Sequence, residues 1–391
     1  MILCTCGLTR VYAMVGWVKA KGTGSALVRA TLSTEGSTLN CIGTVLARSG
    51  CWSFLKGGFV LDSFSRSSIL YLQRFNAAVF ENELKWYATE PEPGRLNYTL
   101  ADEMLEFVMS NQIIARGHNI FWEDPIYTPS WVRKLSGDNL RAAVRSRIQS
   151  LLSRYRGQFV HWDVSNEMLH FDFYEQRLGS NASSEFFHTA QQSDPLATLF
   201  MNEFNVVETC SDARSTVDSY ITRLKELKNA GAILEGIGLE GHFWRPNIPL
   251  MRAVLDKLST LELPIWLTEI DISKKVDAQK QALYLEEVLR EGFSHPSVGG
   301  IILWTALHPN GCYQMCLTDQ SFGNLPTGDV VDELLKEWET TEGGLTDEHG
   351  QYSFIGFLGE YKVSVVAGNE STETSLFLSR GRETKHATVH L

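Results

Sequence analysis

The chain lacks any stretch of about 18 apolar residues, so no part of it is expected to span a membrane. Positive charge is in deficit. Thirty-five Lys and Arg stand against 46 Asp and Glu, a net charge of -11, and this argues against nucleic acid as partner, because phosphates are bound by clustered cations. It leaves a neutral polymer open. Cysteine is sparse: Cys4, Cys6, Cys41, Cys51, Cys210, Cys312 and Cys316 are not spaced to close a zinc site. Cys312 and Cys316 are a candidate pair that spacing alone does not decide. Met1 to Leu8 has no basic flank and only a short apolar run, so a signal peptide is not expected there.

What is present is a large apolar fraction, 43% of 391 residues, enough for one large domain and a smaller unit. Ten Trp and twelve Tyr suit sugar stacking, although most aromatics in any chain belong to its core. Acceptor sequons occur at Asn97, Asn181 and Asn369 and matter if the chain is secreted.

Residues 1–73 are rich in Gly, Ser and Thr, with β-type runs at 26–32, 41–46 and 68–72, which suggest a fragment of a β-sandwich. From Arg74 the rhythm becomes strand, loop, helix. Strands are expected at 76–80, 114–122, 160–167, 197–202, 236–242, 264–272 and 299–304, with helices at 100–111, 139–155, 215–230, 250–258 and 277–291. Repeated alternation of this kind is the pattern of an α/β fold, a (β/α)8 TIM-type barrel over 74–340. Only seven strands are countable where eight are usual, so the first strand and helix are expected to be missing, unless a strand from residues 20–72 inserts between the first and last strands of the barrel. Residues 341–391 read as a small C-terminal β appendage.

Within the barrel, Phe159 to His170 looks like a buried strand ending in a carboxylate. Side-chain alternation puts His161, Asp163, Ser165 and Glu167 on one face and Val160, Trp162 and Val164 on the other. Leu263 to Ile272 is a second such run and carries Glu269. Two carboxylates on separate strand ends are the minimal equipment for hydrolysing a glycosidic bond. Glu203, at another strand end, is expected to be a structural partner of the site.

The runs Glu81 to Trp86, Arg116 to Trp122, Trp162 to Glu167 and Leu267 to Asp271 resemble glycoside hydrolase family 10, the endo-β-1,4-xylanases, and Trp304 to Cys312 resembles its plant branch. Residues 17–72, above all Cys51 to Phe59, resemble the later part of a family 22 carbohydrate-binding module. The resemblance implies a retaining enzyme acting on xylan, with Glu167 as general acid/base, Glu269 as nucleophile and their carboxyl groups about 5 to 5.5 Å apart.

It also implies that Glu81, Asn82 and Lys85 bind sugar, that His118 and Trp122 contact the sugar at the cleavage point, that Asn166 holds its 2-hydroxyl and that Trp304 stacks on its ring. Without the resemblance, Glu81 and Lys85 would read equally well as a surface ion pair. His242 is the expected donor to Glu269. Glu240 departs from the family, where Gln is commoner, and Glu123 stands where many relatives carry His; Glu240 would raise the pKa of Glu269 unless itself protonated or paired. No metal or organic cofactor is expected, and an extracellular or cell-wall location is implied. The alternative reading is a catalytically silent carbohydrate-binding protein, because a barrel short of one strand has two exposed edges.

Overall fold

The computed structural model describes residues 14–21, 27–32, 41–46, 74–306, 311–338, 341–356, 359–378 and 385–390. The expected β run at 68–72 and the segment Cys51 to Phe59 lie outside these residues. Two compact units form, one of residues 42–330 and one of residues 1–41 with 331–391.

In chain order the strands begin with β1 (Met14–Lys21), β2 (Leu27–Leu32) and β3 (Cys41–Leu46). Next come β4 (Ala77–Phe80), β5 (Ile114–Gly117), β6 (Phe121–Trp122), β7 (His161–Asn166) and β8 (Thr198–Glu203). The large unit ends with β9 (Gly236–Phe243), β10 (Ile265–Ile272) and β11 (Val298–Leu303). β3 to β11 form one sheet in the order β5-β4-β3-β11-β10-β9-β8-β7-β6, and β5 also meets β7, which brings the sheet round on itself. The recorded ladders between these strands are parallel.

Here the expectation of a missing first strand is corrected. β3 lies between β4 and β11, pairing Gly43 to Leu46 with Ala77 to Phe80. Its sequence, Cys-Ile-Gly-Thr-Val-Leu, is an uncharged, partly β-branched run of the kind that parallel strands covered on both faces require. A run read as part of an N-terminal module thus serves the barrel. The expected strand at 114–122 is broken in two, and a cis peptide joins His118 to Asn119 in the break.

The barrel core follows from composition. All eight residues of β10 are buried, and the helix Ala278–Ser294 covers it with Ala282, Leu285, Val288 and Leu289. A Cβ at Gly292 of this helix would lie 2.6 Å from Leu267 Cδ1, so a larger residue there would have to displace that side chain. Asp277 caps its start by accepting from the backbone N–H of Lys280. Among the described residues four α-helices escape the sequence reading: Trp86–Thr89, Phe173–Leu178, Ala182–Ser193 and Pro326–Trp338.

The second unit has β12 (Thr341–Leu345), β13 (Gln351–Gly356), β14 (Gly359–Ala367), β15 (Glu370–Leu378) and β16 (Lys385–His390). One sheet runs β13-β1-β16 and another β12-β2-β14-β15. Strands from near the two ends of the chain therefore share sheets, where the sequence suggests a fragment over 1–73 and a separate appendage.

Candidate active site

Asn202, the penultimate residue of β8, is the centre of the site. The hydroxyl of Thr268 donates to its side-chain oxygen, which turns its amide nitrogen toward three acceptors: Asn166 Oδ1 at 2.8 Å, Glu240 Oε1 at 3.0 Å and Glu269 Oε1 at 3.0 Å. Two amide hydrogens serve three oxygens, so the four side chains are held as one group. The backbone also takes part, since the N–H of Glu167 donates to the Asn202 carbonyl at 2.9 Å. One asparagine thus ties the strand end bearing Glu167 to the carboxylate of Glu269.

Two carboxylate–histidine pairs converge on Glu269. In the first, buried Asp163 accepts from Arg116 Nη2 at 2.7 Å and from His118 Nδ1 at 3.0 Å, which leaves His118 Nε2 3.8 Å from Glu269 Oε1. In the second, Asp271 accepts from His242 Nδ1 at 2.9 Å, and His242 Nε2 lies 3.6 Å from Glu269 Oε2 and 3.5 Å from Glu240 Oε2. Burial works to raise the pKa of Glu269, but His118, His242 and Lys85 outweigh it and hold Glu269 below the ordinary carboxylate value. His242 goes the other way: burial works against its charge, yet Asp271, Glu240 and Glu269 keep it well above the usual imidazole value.

Glu167 and Glu240 are the acids whose surroundings favour the protonated form. Burial pushes Glu167 up to about 7, and the charge of Glu269 adds to the shift. Burial and the same neighbour raise Glu240 well above the carboxylate range. A neutral Glu240 does not compete with Glu269 for the ionised state. Glu167 itself has φ 63°, a left-handed backbone that side chains rarely adopt and that turns the chain out of β7.

Lys85 is buried, 5% exposed, with Nζ 4.5 Å from the centroid of Trp122 and 5.8 Å from that of Trp304. Burial lowers its pKa, while Glu269, Glu81, Glu167 and Glu240 all work against that shift, so the ammonium sits among the four acids. This overturns the surface ion pair reading of Glu81 and Lys85. Asn82 Oδ1 accepts from Lys85 Nζ at 3.4 Å and from the Tyr87 hydroxyl at 2.8 Å. Trp304 meets the His118 ring edge to face at 5.4 Å, and Trp122 stacks on Tyr127 at 3.7 Å.

The residues singled out from sequence therefore lie in one cluster, but simple alternation along β7 does not describe it. The ladder between β7 and β8 is irregular between Asp163 and Ser165. Beyond that point Ser165 donates to Glu123, whereas Asn166 joins the amide of Asn202. The face expected to be shared by His161, Asp163, Ser165 and Glu167 is split. Glu123 is buried and pushed up to about 8 by that burial. Glu203 accepts from the backbone of Leu169 and pairs with His170, anchoring the segment after Glu167.

Sequence reading missed Asn202 and Thr268 as site residues. Their signal is weak: Asn202 is one of four Asn-Glu pairs, and Thr268 sits one place before Glu269 on a strand whose alternation assigns it to the other face. Cys312 and Cys316 are joined by a disulfide.

Fold and site together define a parallel α/β barrel that holds paired carboxylates at the C-terminal ends of its strands. The chain belongs to glycosyl hydrolase family 10, whose family model matches residues 49–314. It is 40% identical over 324 residues to endo-1,4-beta-xylanase 5 of Arabidopsis thaliana, a match covering 79% of this chain and 56% of that protein. Anti-sigma-I factor RsgI6 of Acetivibrio thermocellus is also 40% identical, over 81% of this chain and 41% of that protein. The chain spans about half the length of these two relatives. Among solved structures, native xylanase 10B from Thermotoga maritima superposes with a TM-score of 0.66 at 25% identity, covering 77% of this chain and 96% of that one.

Proposed function

We propose that the chain is a retaining endo-glycosidase that cleaves internal β-1,4-xylosidic bonds of xylan, with Glu167 as general acid/base and Glu269 as nucleophile. The observation that carries this reading is the junction at Asn202, which ties the backbone of Glu167 to the carboxylate of Glu269, in surroundings that raise the pKa of Glu167 and hold that of Glu269 low. Glu269 Oε2 attacks the anomeric carbon as Glu167 gives its proton to the departing glycosidic oxygen, forming a glycosyl-enzyme. Glu167, now a carboxylate, takes a proton from water, which attacks the same carbon and frees Glu269. His118, His242 and Asn202 keep Glu269 anionic before attack, while Asn166 holds the 2-hydroxyl, Trp304 stacks on the sugar and Glu81, Asn82 and Lys85 bind the neighbouring unit. Family membership and the xylanase relative support xylan as the polymer.

An extracellular or cell-wall location belongs to the same proposal. It is supported by the Cys312–Cys316 disulfide, a bond of oxidising compartments, and by the exposure of Asn97, Asn181 and Asn369, the three sequon asparagines. Among the described residues no helix is long and apolar enough to cross a membrane. The resemblance of residues 17–72 to a family 22 carbohydrate-binding module stays part of this proposal on its sequence alone, although β3 within that span lies in the barrel sheet.

The test is release of reducing ends from xylan by the purified protein beside Glu269→Ala. Release by the first and background from the second is expected. Equal, background release from both eliminates the enzyme and favours the silent binding protein.

A further inference from the structure

We infer that the site is also a zinc-binding site, formed by Glu240 Oε2, Glu269 Oε2 and His242 Nε2, and that zinc bound there switches the proposed enzyme off. The binding requires only the geometry of these three side chains, while the loss of activity rests on the hydrolytic reading.

The three atoms are set apart by what the rest of each side chain is doing. Asn202 Nδ2 lies 3.0 Å from Oε1 of Glu240 and 3.0 Å from Oε1 of Glu269, so in both acids it is Oε2 that faces His242. Nδ1 of His242 is taken by Asp271 at 2.9 Å, which presents Nε2 to the same point. Nε2 lies 3.5 Å from one carboxylate oxygen and 3.6 Å from the other, and ligand atoms of the three residues fall within 4.8 Å of one another. Atoms bound tetrahedrally at about 2.0 to 2.2 Å from zinc are separated by roughly 3.3 to 3.6 Å, so a small inward movement of the ligands suffices.

The Asp271–His242 pair is moreover the arrangement that orients and strengthens an imidazole ligand of zinc. One imidazole and two carboxylates with an open fourth position suit zinc better than magnesium or calcium, which take oxygen ligands. His242 is 28% exposed at its side chain, so an ion can reach the point from solvent. On binding, His242 Nε2 and Glu240 release their protons to solvent and zinc takes the vacated lone pairs. Glu269 Oε2 then binds metal and is no longer available to attack carbon.

Glu240 is the residue that distinguishes this site, since glutamine there would supply a neutral, weaker ligand. The experiment is zinc competition between metal-free full-length protein and a chromogenic chelator, for wild type, Glu240→Gln and Glu167→Gln, with X-ray absorption on the wild-type zinc complex. The expected result is one zinc per chain with one imidazole and oxygen ligands, affinity lowered at least tenfold by Glu240→Gln and changed less than threefold by Glu167→Gln. Equal affinity in wild type and Glu240→Gln, no retained zinc at micromolar metal, or a thiolate-bound zinc would each overturn it. If Glu240→Gln fails to fold, the absorption spectrum still decides. Neither readout uses xylan hydrolysis, so failure of this inference and failure of the proposed activity are distinguishable.

Discussion

Asn202 carries a burden that its neighbours cannot take over. Its amide donates toward Glu269, Glu240 and Asn166, and its carbonyl receives the N–H of Glu167. Asn202→Ala leaves the backbone link but removes every side-chain donation, and with it part of what keeps Glu269 ionised. The expected effect is a fall of about 100-fold in kcat/KM on a xylooligosaccharide, the scale of losing one preorganised donor at a developing charge. A variant within threefold of wild type would show that the two histidines hold Glu269 without it. The acids themselves were legible from sequence, because a carboxylate at the end of a buried strand has few other uses. Asn202 was not, since its importance lies in where its neighbours' oxygens fall, and these come from β7, β9 and β10.

At the scale of elements, the strands and helices that periodicity located between Arg74 and the last strand have boundaries within three residues of those observed. Besides the helices it missed, two features of the sheet resisted. β3 lies more than thirty residues before β4 in sequence, so local pattern could show it as a strand but not that it joins this sheet. β5 and β6 read as one strand because nothing in the apolar pattern marks the break at His118 to Ile120. The close approach of Trp162 to Gly117 was equally hidden: a Cβ there would lie 2.1 Å from the indole.

The placement of β3 can be tested through its backbone. Because β3 is flanked by β4 and β11, a proline at Thr44 removes a donor that neither neighbour can replace. Thr44→Pro should cost on the order of 1 to 3 kcal/mol, read as a lower thermal midpoint. An unchanged midpoint would mean that the barrel does not depend on β3.

The whole molecule holds several buried acids in their neutral form, and this sets how its stability responds to pH. Burial raises Glu123 to about 8 and raises Glu208 and Glu167 to about 7. Each folded pKa lies above the unfolded value, so between about pH 4.5 and 8 the folded state binds more protons than the unfolded one. Stability is then full below the unfolded pKa and is lost as pH rises through the folded values. Thermal midpoints should fall from pH 5 to pH 8, and Glu123→Gln, which cannot ionise, should flatten that slope. A midpoint that climbs over the same interval would contradict the neutral burial of these acids.

The two acids acting in sequence on one anomeric carbon predict a stereochemical outcome that no binding protein and no inverting enzyme shares. Proton NMR of xylooligosaccharide hydrolysis, recorded before mutarotation, reads it directly. Glu269 acting as nucleophile requires the first reducing ends to appear as the β anomer and only later to equilibrate. Reducing ends that appear first as the α anomer would contradict the assignment of Glu269, and no product at all would contradict the hydrolase itself.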